Sequence, residues 1–145
     1  MIGLLQRVSG ARVEVHSRTI AQISTGILVF IGVEKDDTRA QAGRLLQRLL
    51  GYRVFPDAGG KMNLSLTDIQ GGLLLVPQFT LPADTKKGMR PSFSSAAPPE
   101  IGKELFDYLV SSAKASYRHI EAGEFGADMQ VHLTNDGPVT FWLKT

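Results

Sequence analysis

The chain has 145 residues, which suits one domain around one core. With 43% hydrophobic and 21% charged residues it reads as an ordinary globular protein, and the absence of cysteine excludes disulfides, thiolate catalysis and sulfur-built metal sites. A net charge of +2 and a pI near 9.0 permit contact with a nucleic acid end, whereas a grip on a long duplex normally takes more positive charge. No apolar stretch approaches the ~20 residues of a membrane span. The N-terminal apolar run stops at Gln6 and Arg7, too short for a signal segment, so a cytoplasmic location is expected.

Arg12 to His16 sets Val13 and Val15 on one face and Arg12, Glu14 and His16 on the other, a strand with one wet side. Thr19 to Ser24 is placed to pair with it as a hairpin across Ser17 and Arg18. From Gly26 the run GILVFIGV predicts a strand buried on both faces, with Ile27, Leu28, Val29, Phe30 and Ile31 at its centre. The period then changes. Asp36, Asp37 and Thr38 offer N-cap oxygens, Leu45, Leu46, Leu49 and Leu50 share one side at helical spacing, and Gly51 is a stop. Tyr52 to Phe55 reads as a short strand and PDAGGK as a turn. Leu73 to Leu81, LLLVPQFTL, predicts a second buried strand interrupted by Pro77.

Pro82 to Pro99 is the longest irregular stretch and carries Lys86, Lys87 and Arg90. A loop of this length in a compact domain is more often functional than idle. Pro98 and Pro99 lead into a helix with the stripe Ile101, Leu105, Leu109 and Ala113. Two alternating strands follow, Met129 to Thr134 and Val139 to Lys144, separated by a turn at Asn135-Asp136-Gly137-Pro138. No repeat or linker divides residues 1–145. The order β-β-β-α-β-β-α-β-β predicts an α/β domain with its strands in two sheets or a barrel-like wrap. Two helices cannot cover both faces of so many strands, so some apolar sheet surface must meet a second sheet or a second subunit.

The catalytic inventory is thin. His16, His119 and His132 lack a partner at helical spacing and read as strand or surface histidines. There is no P-loop, GxGxxG or GxSxG, and neither a metal nor a cofactor is expected. Two segments stand out. Gln78-Phe79-Thr80 places polar groups at the end of an apolar run, where they must find partners. Asn135-Asp136-Gly137-Pro138-Val139-Thr140 contains a Gly-Pro pair, able to make a backbone corner where side chains are unwanted.

Together these segments resemble the D-aminoacyl-tRNA deacylase family, whose markers are a Ser-Gln-Phe-Thr motif and a C-terminal Gly-Pro motif. They stand here as PQFTL (77–81) and NDGPVT (135–140), accompanied in order by LLQRVSGARV (4–13), FPDAGGKMN (55–63), ADTKKGMRPSF (83–93) and FGADMQV (125–131). The resemblance implies a three-layer β/β/α fold with two main helices, a homodimer, and hydrolysis of the ester joining a D-amino acid, or glycine mischarged on tRNA-Ala, to the terminal adenosine of tRNA. It implies that Gly137-Pro138 is a cis dipeptide inserted into the partner subunit's site, where a fixed backbone wall rejects an L side chain by clash. Gln78, Phe79 and Thr80 then form the catalytic wall.

Thr80 lacks an evident base in the sequence, so water assisted by the ribose 2′-OH is favoured over covalent catalysis, with backbone N–H groups near Phe79 and Thr80 facing the oxyanion. Phe125 and Met129 fall at family positions near the adenine pocket, and Arg7 at one that orients the Gly-Pro corner. The chain departs from the family at Pro77, which replaces serine and has neither hydroxyl nor N–H; reduced activity is expected. The rival reading is a non-catalytic nucleic-acid-binding protein on the same scaffold.

Overall fold

A computed structural model describes residues 1–145. Its organising element is β1 (Ile2–Val15), far longer than its alternating half alone. β2 (Arg18–Ile23) returns antiparallel to it, with Val15 opposite Arg18. The turn is therefore His16-Ser17, one residue earlier than expected, and both residues take positive φ (49° and 60°). That is the twist a two-residue hairpin favours. β3 (Gly26–Gly32) pairs with the first half of β1, from Ile2 to Val8, while β2 pairs with the second half, from Ala11 to Val15. One edge of β1 thus serves two strands in succession, and the sheet curls between them.

α1 (Arg39–Gly51) follows, capped by Thr38, whose hydroxyl accepts from Ala40 N at 3.2 Å while the Gln41 side chain accepts from Thr38 N at 3.0 Å. Asp37, an alternative cap by sequence, instead accepts from Glu34 N at 2.7 Å. The strand expected at Tyr52 to Phe55 shrinks to β4 (Phe55–Pro56), which pairs with β5 (Met62–Leu64) in a separate small hairpin. α2 (Leu66–Ile69) is a single turn capped by Ser65. β6 (Gly72–Pro77) then runs parallel to β3. It ends at Pro77, not at Leu81: the chain turns there, and Gln78 N makes the last bond to the sheet, 2.7 Å to Ile31 O.

α3 (Pro99–Ser116) buries Gly102, Leu105, Phe106, Leu109 and Ala113. Ile101 is 42% exposed, so the stripe lies one residue round from the expected one. β7 (Ile120–Ala122) is parallel to β6, and the sheet order is β2-β1-β3-β6-β7. The two expected C-terminal strands are one strand, β8 (Gln130–Lys144), antiparallel to β1 along nearly its whole length. Residues 135–138 therefore do not reverse the chain, which keeps its direction on both sides of them.

The layers follow from this curl. Leu5, Ile27, Val29, Leu73 and Leu75 face Leu45, Leu49, Leu105 and Leu109 of the helices. The opposite face, with Leu28, Leu74 and Val76, meets Val13, Ala21 and Ile23 of the curled β1–β2 arm. A Cβ on Gly72 would sit 2.8 Å from Ile23, so glycine permits the arm's close approach. The result is the expected single-domain β/β/α arrangement, with both β layers drawn from one barrel-like sheet. No helix is long and apolar enough to cross a membrane.

Candidate functional site

The predicted site residues fall into two clusters. The first lies at the C-terminal ends of parallel strands β3 and β6, the end at which open α/β sheets bind ligands. Residues 78–81 form a tight turn, with Leu81 N donating to Gln78 O at 3.2 Å and Ala83 N to Thr80 O at 3.1 Å. The turn sits on Gly32, where a Cβ would come within 2.8 Å of Leu81 and Pro82. Inside it, the backbone N–H groups of Phe79 and Thr80 make no intramolecular hydrogen bond. Gln78 Nε2 donates to Thr80 Oγ1 at 2.5 Å, and no carboxylate or imidazole bonds that hydroxyl.

Beside this turn opens a cavity of about 580 Å³, walled among others by Pro77, Phe79, Phe93, Pro98, Gly102 and Phe125. No titratable side chain lines it. Phe125 approaches α3 closely at Gly102, where a Cβ would already be 3.3 Å from the ring. Met129 is not on the cavity wall; its sulfur packs against Gly123, behind Pro77. Phe93, from the long loop, was not identified by sequence reasoning. Its signal was an aromatic residue set among Pro and Ser after a basic run, which by itself looks like a solvated loop.

The second cluster is the Gly-Pro corner. In β8, Asn135 is opposite Val8 and Thr140 opposite Gln6, so residues 136–139 bulge out against the single residue Arg7. Arg7 fills the base of the bulge. Its Nε donates to Asp136 O at 2.9 Å and its Nη1 to Val54 O at 2.6 Å, and the side chain is largely buried. Asn135 braces the other side, accepting from Val139 N at 2.7 Å and donating to Thr140 Oγ1 at 2.8 Å. The Gly137–Pro138 bond is cis, and Gly137 has φ +133°. A Cβ there would lie 2.7 Å from Val139 Cγ2 and 2.9 Å from Arg7 Nη2. Gly137 and Pro138 are exposed at the crest.

Within one chain the two clusters are far apart. Arg7 is level with Ile27 and Leu73, four residues along the strands from Ile31 and Pro77. Strands β8 and β6 are also separated by β1 and β3. At roughly 3.3 Å per residue and 4.8 Å per strand, the corner and the turn are on the order of 20 Å apart. The carboxylates held below their ordinary range are elsewhere: Glu14 by its bond from Arg12, Asp57 by those from Asn63 and the Lys61 N–H, and Asp68 by those from Ser65.

A cavity without titratable groups, closed by a turn of unpartnered N–H donors, is paired on the same chain with a braced Gly-Pro bulge. The family model for D-Tyr-tRNA(Tyr) deacylase matches residues 4–144, and the chain belongs to that family. It is 65% identical to the D-aminoacyl-tRNA deacylase of Pseudomonas fluorescens over 145 residues, all of both chains. It is likewise 65% identical to that of Pseudomonas putida over 144 residues, 99% of each. Among solved structures, the c-Myc DNA Unwinding Element Binding Protein matches with a TM-score of 0.96 and 38% identity, over 100% of this chain and 99% of that one.

Proposed function

We propose that this chain is a hydrolase that cleaves the ester of D-aminoacyl-tRNA, releasing the amino acid and a free tRNA 3′ end. The observation that carries the reading is the turn at residues 78–81, with two unpartnered backbone donors at the mouth of an aromatic cavity. The terminal adenine occupies the cavity against Phe125, and the ester carbonyl is directed at the N–H groups of Phe79 and Thr80. Water adds to the carbonyl carbon, the donors stabilise the oxyanion, and the bond to the ribose oxygen breaks. The water's proton passes to that oxygen, relayed by the neighbouring 2′-OH. Thr80 takes a positioning role because Gln78 occupies its hydroxyl and no base adjoins it.

The Gly-Pro corner acts on a second copy of the chain. A separation on the order of 20 Å leaves it unable to reach its own turn. In a homodimer the exposed crest at Gly137 and Pro138 closes the partner's site as a backbone wall. A D substrate directs hydrogen at that wall and an L substrate its side chain. Glycine has nothing to clash, so glycyl-tRNA is also accepted. Met129 supports the site from behind Pro77. A cytoplasmic location follows from the substrate.

A second reading, nucleic-acid binding without cleavage, is favoured by Pro77 in place of the family's serine and by the name of the 38% identical DNA-element-binding relative. Purified protein incubated with D-Tyr-tRNA and L-Tyr-tRNA separates the readings. Loss of label from the D substrate alone is the expected outcome. Release of both would refute the chiral wall, and release of neither would favour the binding protein. A Pro77→Ser variant is expected to be faster; equal rates would remove any catalytic deficit from that position.

A further inference from the structure

Phe79 and Phe93 are 64% and 44% exposed, although each also lines the cavity. Their ring centroids are 5.4 Å apart at 43°, so together they make an apolar step at the cavity mouth. Fully exposed Met89 stands in the same loop. Exposed aromatic surface next to a cavity calls for an occupant. The loop behind Phe93 is closed at its base. Asp84 and Ser92 exchange backbone hydrogen bonds of 2.8 and 3.0 Å, and Ser95 Oγ donates to Pro82 O. Residues 85–91 therefore project from a fixed neck. They carry Lys86, Lys87 and Arg90, all exposed and none in an ion pair. Between residues 82 and 98 the only opposing charge is Asp84, whose carboxylate accepts from Lys86 N at 2.9 Å. This one loop thus carries an excess equal to the +2 of the whole chain.

We infer that the Phe79–Phe93 step and the Lys86, Lys87 and Arg90 loop bind the single-stranded nucleotides that precede the terminal adenosine. One base stacks on the step and the loop cations take the phosphates. The inference rests on the proposed function for the identity of the RNA end, and it extends the recognised substrate from an aminoacyl-adenosine to a single-stranded 3′ tail. Aromatic stacking combined with cations is the chemistry of single-strand recognition. Seven residues folded back on themselves project roughly 11 Å, a reach suited to a few nucleotides rather than a duplex. A protein partner fits less well, because covering the step and its loop would desolvate three cations that have no carboxylate partner in this chain.

The test is direct binding of an uncharged RNA hairpin ending in single-stranded CCA, followed by fluorescence anisotropy across salt concentrations. The Lys86→Ala/Lys87→Ala/Arg90→Ala variant is expected to bind at least tenfold more weakly at low salt. Its log K against log salt slope should shrink by about 2, the value for three single-strand phosphate contacts. Phe93→Leu is expected to weaken binding about tenfold with its slope unchanged, since stacking carries no counterion release. These exposed changes leave the core intact, which a melting curve verifies. Wild-type affinity and slope in the triple variant would overturn the inference, as would an equal Phe93→Leu loss on a hairpin lacking the two cytidines. Hydrolysis of D-tyrosyl-adenosine by the wild type is scored separately. Loop-dependent binding without hydrolysis would retain this inference and retire the deacylase; hydrolysis with loop-independent binding would do the reverse.

Discussion

The Gly-Pro bulge and the 82–98 loop are both exposed, irregular excursions, yet they are built in opposite ways. The bulge is braced from both sides by Arg7 and Asn135, and a methyl added at Gly137 would collide with Val139 and Arg7. The loop is pinned at its neck and free beyond it, with unpaired cations at its tip. In its proposed role as a wall that judges chirality the bulge must not yield by an ångström, and the hydrogen bonds of Arg7 and Asn135 supply that rigidity. A surface that follows a flexible RNA strand can rely on charge and stacking, which tolerate displacement. Under the two proposed roles, different precision requirements account for the two constructions.

The comparison breaks most sharply at Gly137. Gly137→Ala is expected to reduce D-Tyr-tRNA deacylation by about 100-fold or more, because moving a positioning element by an ångström is enough for such a loss. Its fold should survive, since the corner is exposed. Single-turnover assays with a parallel melting curve measure both, and activity within threefold of wild type would show that the bulge tolerates deformation. Arg7 is the next test. Arg7→Ala leaves the Asp136 and Val54 carbonyls without their shared donor, and a loss of about 2 kcal/mol in stability is expected from such charge-assisted bonds. Arg7→Lys should rescue little, because one ammonium cannot reproduce a planar fork reaching two carbonyls. Urea titration gives the stability, and full rescue by Lys would reduce Arg7 to a point charge.

The bulge also shows where sequence reading ran out. Val139 to Leu143 and Met129 to Leu133 alternate correctly, and Asn-Asp-Gly-Pro is ordinary turn chemistry, so two strands and a reversal were the natural reading. What the local pattern could not show is that β1 extends unbroken from Ile2 to Val15 and offers one edge long enough for both halves. Non-local pairing outweighed local turn preference. The buried runs of β3 and β6 were legible because burial on both faces leaves a continuous apolar run, and the helical leucines of α1 because burial on one stripe leaves a periodic mark. Within the site, Gln78 and Thr80 stood out as polar groups at the end of an apolar run, and the family resemblance of the PQFTL segment marked them and Phe79 as site residues. Phe93 was hidden because its role depends on the loop folding back beside Phe79, a contact with no periodic signature.

A smaller effect is expected at the cavity wall, where Phe93 of the loop also stands. Phe125→Ala removes a ring facing the cavity and packed 6.4 Å from Phe106. About a tenfold rise in KM for D-Tyr-tRNA is expected from lost stacking against a base, at roughly unchanged kcat. A fall in kcat with constant KM would instead place Phe125 in the chemical step.

The smallest effect lies far from both excursions, at the lower end of the sheet, and serves as their control. The Tyr117 hydroxyl donates to Gly71 O at 2.6 Å and Leu66 O at 3.3 Å, tying α3 to the chain entering β6. Tyr117→Phe is expected to lower stability by about 1 kcal/mol and leave D/L selectivity untouched. Burial raises the Tyr117 phenol above its ordinary value, so the folded state favours the neutral donor. The stabilisation is therefore fully present below the unfolded phenol's pKa of about 10 and is lost as pH rises through the higher folded value. Wild type and Tyr117→Phe should differ at pH 7 and converge in strongly alkaline solution. Denaturant midpoints at the two pH values test this, and a gap that widened with pH would mean the phenolate is the form the fold prefers.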